Sequence, residues 1–229
     1  MWAIVPLKSP EFAKSRLSDV LNPLARRDLF FAVARHVITT LLHTPGITRV
    51  AVVTASDAAD TFARDCGATV IRQDGDRGTA AAFSAAIEAL RPQHLERMLM
   101  IAGDLPLLTT AAVAQLIAAG TDYPSVVIAP DRQRTGTNAL LCSPPEIIPP
   151  CFGIDSFRRH REAAIACGAA LEIVESPYLA LDVDVADDLD YLQRRLGDSL
   201  AATDAATAAS LHDALAARRP QLKIVGEKP

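Results

Sequence analysis

Apolar residues are grouped along the chain in two alternating ways. Short continuous runs occur at Ala3–Leu7, Val50–Thr54, Thr69–Arg72, Met98–Ala102 and Val126–Ala129. Runs of this length without a polar alternation predict strands buried on both faces. Between them, Leu24–Leu42, Ala58–Cys66, Thr79–Leu90 and Thr110–Ala119 carry apolar residues at three- and four-residue intervals, the period of a helix lying on a core. Pro23 stands where the first of these helices begins, and Thr109-Thr110 supplies a cap for the fourth. Strand, helix, strand in regular order is a βαβ series and predicts an α/β fold with a mostly parallel central sheet flanked by helices. After residue 130 the pattern loosens. Asn138–Cys142 and Leu171–Val174 predict strands, Ser156–Cys167 predicts a helix ending at Gly168, and Leu189–Leu196 predicts another.

The length of 229 residues fits one large domain. From residue 197 the composition becomes Ala-rich, predicting a helical C-terminal extension over 197–229, open to three uses: packing on the domain, a homodimer contact, or a dispensable appendage. Half the residues are apolar, but no run approaches the roughly 20 needed to cross a bilayer, so the chain is expected to be soluble and without a membrane partner. Met1–Lys8 lacks the basic and long apolar regions of a secretion signal, and Cys66, Cys142, Cys151 and Cys167 show no metal-ligand spacing. Free thiols and a cytoplasmic location are expected. A formal net charge of −4 argues against nucleic acid as a partner, since such binding is largely phosphate neutralisation by surplus Lys and Arg. Any anion bound here must meet a local cluster.

Such a cluster succeeds the first strand, where Lys8, Lys14 and Arg16 fall within nine residues. Open α/β sheets bind ligands at the carboxyl ends of their strands, and phosphates suit this loop. It has no glycine, so it is neither a Walker loop nor a dinucleotide turn. Asp104 ends another buried run, in Gly103-Asp-Leu-Pro-Leu107, where an unpartnered carboxylate would be costly. It suits either a divalent cation or the capping of the adjoining loop or helix. Asp182 and Asp184 alternate in a strand-like segment, so both face one side about 7 Å apart. Two like charges so close favour a cation between them. Asp187 and Asp188 fit the first turn of a helix, where carboxylates match the dipole. The loop Asp131–Asn138 is rich in donors, and Ser156 stands at a helix start after Gly153, a place that binds anions through free N–H groups. His160 lies on the same helix face as Ser156. No Ser/His/Asp or Cys/His arrangement suggests a covalent nucleophile. Two anion sites with a carboxylate set fit nucleotidyl transfer, in which positioning and charge neutralisation do the work.

These motifs, in order, resemble the CofC-type guanylyltransferases of coenzyme F-420 biosynthesis: Val5-Pro-Leu-Lys8 with Ala13-Lys-Ser-Arg-Leu17, Gly103–Leu107, Gly136-Thr-Asn138, Phe152-Gly-x-x-Ser-Phe-x-x-His160 and Leu181-Asp-Val-Asp184. The resemblance runs from about residue 3 to residue 192. It implies a GT-A-like fold of the nucleotide-diphospho-sugar transferase type over residues 1–196. It implies GTP as donor, Mg2+ as cofactor, and a three-carbon phosphoacid as acceptor, with 3-phospho-D-glycerate preferred here to 2-phospho-L-lactate or phosphoenolpyruvate. By position, Lys8, Lys14 and Arg16 would hold the triphosphate and Asp104, Asp182 and Asp184 the metal. Lys8, Lys14, Arg16 and Asp104 would form the catalytic group, and Thr137, Gly153, Ser156 and His160 would bind the acceptor. Arg77–Ala82 departs from the family pattern Gly-Leu-Asn-x-Ala near the nucleotide. The alternatives are a cytidylyl or molybdopterin-guanylyl type transferase, and a noncatalytic nucleotide-binding protein.

Overall fold

A computed structural model describes residues 1–11 and 13–199, with Ala209, Asp213 and Ala216. The remainder of the expected 197–229 extension lies outside the described residues. Seven strands form one sheet: β1 (Trp2–Pro6), β2 (Arg49–Thr54), β3 (Thr69–Arg72), β4 (Met98–Ile101), β5 (Ser125–Pro130), β6 (Thr137–Ser143) and β7 (Ala170–Ile173), in the order β3-β2-β1-β4-β6-β5-β7. The helices are α1 (Pro23–Leu42), α2 (Asp57–Asp65), α3 (Thr79–Leu90), α4 (Thr110–Ala119), α5 (Ser156–Ala166), α6 (Pro177–Ala180) and α7 (Ala186–Ser199).

Each run of continuous hydrophobicity is buried because helices cover both faces. On β1, Ala3 and Val5 enter the core packed by α1, α2, α4 and α7, whereas Ile4 enters the core packed by α3 and α5. The helix starts are chemically marked. Pro23 opens α1 behind Asn22, whose side chain accepts the Ala25 N–H at 2.9 Å, and Thr109 caps α4 by accepting the Ala112 N–H at 3.1 Å. Ser56 does the same for α2.

The pairing of β6 decides where the site lies. β1, β2, β3 and β4 are mutually parallel, and β5 is parallel to β7, but β6 runs antiparallel to both β4 and β5. The reversal brings the first residue of β6, Thr137, to the edge where β4 ends. The carboxyl edge of the parallel strands therefore gathers the loops after β1, β2, β4 and β5 together with the start of β6.

Candidate active site

That edge opens into a cavity of about 1240 Å3, larger than the roughly 300–1,000 Å3 of most small-molecule sites and roomy enough for a nucleotide beside a small acceptor. Its lining carries three basic side chains, Lys8, Lys14 and Arg16, against eight acidic ones, among them Asp104, Asp131, Asp182 and Asp184. The proposed triphosphate, metal and acceptor ligands all line this one cavity, with the exception of His160.

Lys14 departs from its expected place on a triphosphate. Its backbone is left-handed, with φ 56° and ψ 32°, just before the 3-10 turn Ser15–Leu17. The side chain is turned inward, 5% exposed, and its Nζ donates to Asp104 Oδ2 at 2.6 Å and to Asp184 Oδ1 at 3.2 Å. Burial works to lower the Lys14 pKa, but the two carboxylates outweigh it and hold the ammonium above its ordinary value. Lys8 and Arg16 are exposed on the same cavity and have no carboxylate partner among the described residues.

Asp104 stands just past β4 because Gly103 lets the ends of β1 and β4 approach: a Cβ there would lie 2.7 Å from Leu7 Cδ2, 3.1 Å from Val5 Cγ1 and 3.2 Å from the Pro6 carbonyl oxygen. Asp182 and Asp184 do share a face, since Leu181 and Val183, which alternate with them, are buried. Their segment joins no ladder, contrary to the strand expected there. Val183 N–H donates to the Asp104 carbonyl oxygen at 3.4 Å, and Asn138 Nδ2 donates to the carbonyls of Leu179 and Ala180 at 3.0 and 3.1 Å. Burial, then Asp104 and, more weakly, Asp184, push the Asp182 carboxyl up to about 6.

The expected metal-binding carboxylates thus share one wall without forming a ready cage. Among the described residues no group of three or more His, Cys, Asp and Glu is disposed to hold an ion, and the Lys14 ammonium bridges Asp104 and Asp184. The chemistry still fits a hard divalent cation. All donors are carboxylate oxygens, one ammonium serves two of them, and burial, followed by the neighbouring Asp104, keeps Asp182 raised.

The acceptor-side candidates surround the start of β6 and of α5. Gly153 adopts φ 115°, which only glycine takes readily, and Ser156 is buried at the first turn of α5. Asp155, not Ser156, is the N-cap, and it makes no side-chain cap bond. His160, expected to bind the acceptor, is instead fully buried and does not line the cavity; its ring is taken up by Thr137 Oγ1 at 2.9 Å from Nδ1 and by the Cys151 N–H, which donates to Nε2 at 2.8 Å. Burial, then Arg159, lower its pKa to about 4, so the ring is neutral. Arg134 pairs with Glu175 and lies over the Phe157 ring, away from the cavity lining.

Two supporting residues, Asp188 and Arg132, are not evident as such from the sequence pattern. Asp188 Oδ2 accepts the N–H groups of Asp184 and Val185, each at 3.0 Å, while its Oδ1 takes Arg132 Nη2 at 3.0 Å. Arg132 in turn lies over the Tyr191 ring at 4.7 Å. Asp188 reaches back from the first turn of α7 like the acid of a capping box, and its three-residue spacing from Val185 is the signal that marks it. The cysteines are free thiols, with Cys142 buried and pushed above its ordinary value by burial. No helix among the described residues is long and apolar enough to cross a membrane.

Solved structures share this architecture. A protein from Desulfovibrio desulfuricans assigned to the nucleotide-diphospho-sugar transferases superposes with a TM-score of 0.77 at 17% identity, covering 93% of this chain and 95% of that one. A nucleotidyl transferase from Methanothermobacter gives 0.61 at 16% identity, covering 86% and 98%. The fold is therefore that of the nucleotidyltransferases, a single α/β domain with its cavity at the carboxyl edge of the sheet. Sequence comparison narrows this. The family model described as "Guanylyl transferase CofC like" matches residues 1–195. The phosphoenolpyruvate guanylyltransferase of Conexibacter woesei is 39% identical over 193 residues, spanning 84% of this chain and 86% of the relative, and that of Rubrobacter xylanophilus is 39% identical over 197 residues, spanning 84% and 93%. The chain belongs to the CofC-like guanylyltransferase family and is a nucleotidyltransferase enzyme.

Proposed function

We propose that the enzyme transfers GMP from GTP to the phosphate of a three-carbon phosphoacid, releasing pyrophosphate, in the cytoplasm and within coenzyme F-420 biosynthesis. The names of the relatives favour phosphoenolpyruvate as acceptor over the 3-phospho-D-glycerate expected from the sequence. The observation that carries the reading is that one cavity holds the basic loop, the Asp104/Asp182/Asp184 wall and the Thr137/Gly153/Ser156 cluster together.

Lys8 and Arg16 are placed to take the triphosphate oxygens, offsetting charge on the departing pyrophosphate. An oxygen of the acceptor phosphate, already ionised at neutral pH, attacks the α-phosphorus, and the bond to the bridging α–β oxygen breaks. No proton need be removed from the nucleophile. Asp104, Asp182 and Asp184 would hold Mg2+, which when bound supplies charge neutralisation for the phosphates in a cavity where acids outnumber bases. Asp188 and Asn138 hold the Asp182–Asp184 segment in register with Asp104. The catalytic unit is residues 1–196, with 197–229 as an appended stretch.

The test is a panel of GTP, CTP and ATP against phosphoenolpyruvate, 3-phospho-D-glycerate and 2-phospho-L-lactate, reading pyrophosphate release and product mass. GTP with phosphoenolpyruvate is expected to be fastest. Asp104→Ala is expected to lose at least about 100-fold in kcat with the fold retained, the scale on which removing one charge-stabilising group acts. Near-normal release by that variant would remove Asp104 from the mechanism.

A further inference from the structure

We infer that His160 is a positioning residue that fixes the Thr137 hydroxyl as a hydrogen-bond donor into the acceptor end of the cavity. The inference rests on the proposed function for the identity of what is bound there. The assignment of the protons does not. The backbone N–H of Cys151 can only donate, so His160 Nε2, 2.8 Å away, must accept. In a neutral imidazole the other nitrogen then carries the proton, and Nδ1 is 2.9 Å from Thr137 Oγ1. Thr137 therefore receives a hydrogen bond from the ring. Its own proton has no acceptor among the described residues, and the residue lines the cavity at the first position of β6. What Thr137 offers a ligand is an O–H.

The opposite tautomer would reverse this. Thr137 would have to donate to Nδ1 and would face the cavity with lone pairs, repelling an ionised carboxylate or phosphate. The ring is held against that alternative. It is completely buried, packed edge-on against Phe152 at 4.9 Å between centroids, and Phe152 is in turn against Phe83 at 4.4 Å. The Cys151 bond has a second effect. Cys151 leads directly into the loop that carries Gly153 and ends at Ser156, the first residue of α5, so one imidazole ties the start of β6 to the segment that opens α5. The ligand class that satisfies this site presents an anionic oxygen to Thr137, which the carboxylate or phosphate of a phosphoacid does.

Two substitutions divide the ring's roles. In His160→Asn the amide N–H lies near the place of Nδ1 and can still donate to Thr137. In His160→Gln the side-chain carbonyl lies near the place of Nε2, so it can accept from Cys151 but leaves Thr137 without its donor. With GTP and phosphoenolpyruvate, His160→Gln is expected to raise KM for the phosphoacid about tenfold or more, the scale of one hydrogen bond to a charged group, with KM for GTP unchanged. His160→Asn, which keeps the donor to Thr137 but gives up the Cys151 bond, is expected to raise the phosphoacid KM at least about threefold less than His160→Gln does, and His160→Gln added to Thr137→Val is expected to cost less than about twofold beyond Thr137→Val alone. Histidine 15N NMR on the wild-type full chain without substrate reads the tautomer directly, and the proton is expected on Nδ1. A proton on Nε2, or equal shifts of both KM values by the Gln and Asn variants, would overturn the inference. A wild-type enzyme that turns over no phosphoacid would instead remove the proposed function, with the NMR reading of His160 still decisive on its own.

Discussion

Replacing Lys14 with methionine keeps the apolar stem of the side chain and deletes the one charge that Asp104 and Asp184 share. Removing one member of a buried ion pair costs about 3–5 kcal/mol when its partner is left stranded. Here the ammonium is 5% exposed, but the Asp104 and Asp184 side chains are 31% and 46% exposed, so water recovers much of their solvation. Pairs that water reaches contribute only about 0–1 kcal/mol, which brings the expected loss to about 1–2 kcal/mol. For a domain of this size each kcal/mol moves the melting temperature by about 2–4 °C, giving a drop of about 2–8 °C. The assay is thermal unfolding in EDTA and again with Mg2+, beside pyrophosphate release. In EDTA Lys14→Met should melt lower than the wild type. On addition of Mg2+ it should gain more than the wild type, because two carboxylates no longer engaged by an ammonium are free for the ion. Turnover should fall as well, because Asp104 and Asp184 lose the ammonium that fixes them at the cavity wall. An unchanged melting temperature in EDTA, or a Mg2+ gain no larger than that of the wild type, would refute Lys14 as the internal counter-ion of this wall.

Gly103→Ala should lower the melting temperature by at least about 2 °C and reduce kcat, because its Cβ would meet Leu7 Cδ2 at 2.7 Å and the fixed Pro6 carbonyl oxygen at 3.2 Å, an overpacking cost of about 1–3 kcal/mol; a melt within about 1 °C of the wild type would contradict this. His160 titrates near 6.5 when unfolded but only near 4 in the fold, so its stabilising contribution is complete above 6.5 and declines as the pH falls toward 4. Between about pH 7.5 and 5 the wild type should therefore lose about 2 kcal/mol more in urea unfolding than His160→Asn, and parallel losses in the two proteins would count against the neutral buried ring. Asp188→Asn leaves one oxygen where two are used, by Arg132 on one side and the Asp184 and Val185 N–H groups on the other; urea titration should show a loss of about 1–2 kcal/mol with reduced kcat, and no change would remove Asp188 from the support of Asp184.

The continuous run Met98–Ile101 is buried at every position, and Thr79–Leu90 forms a helix with the bounds its periodicity predicts. These elements are legible because local pattern and burial agree. Asp182 and Asp184 show where local pattern stops. Their alternation reads as a strand and does place them on one face, but Asn138, about forty residues earlier in the chain, already occupies the carbonyls of the preceding segment. Lys14 is recognisable as a cation near phosphate chemistry. Its inward turn depends on a left-handed backbone that a lysine does not advertise. The burial of His160 likewise comes from Thr137 at the start of β6 and from Cys151 and Phe152 ahead of α5, none of which a helix-face argument within Ser156–Ala166 contains.

The single reversed strand divides the molecule along lines that mutation can follow. β1, β2, β3 and β4, with the loops that carry Lys8, Lys14, Arg16 and Asp104, form a contiguous parallel half. Thr137, Gly153 and Ser156 hang on the other half, on segments that enter the common edge from β6 and α5. On the proposed assignment, exchanges in the segments 131–137 and 151–156 are expected to alter acceptor choice while leaving the register of the first half intact, because neither segment pairs with β1, β2 or β3. Donor handling and acceptor choice would then be separable by exchange of two short peptides.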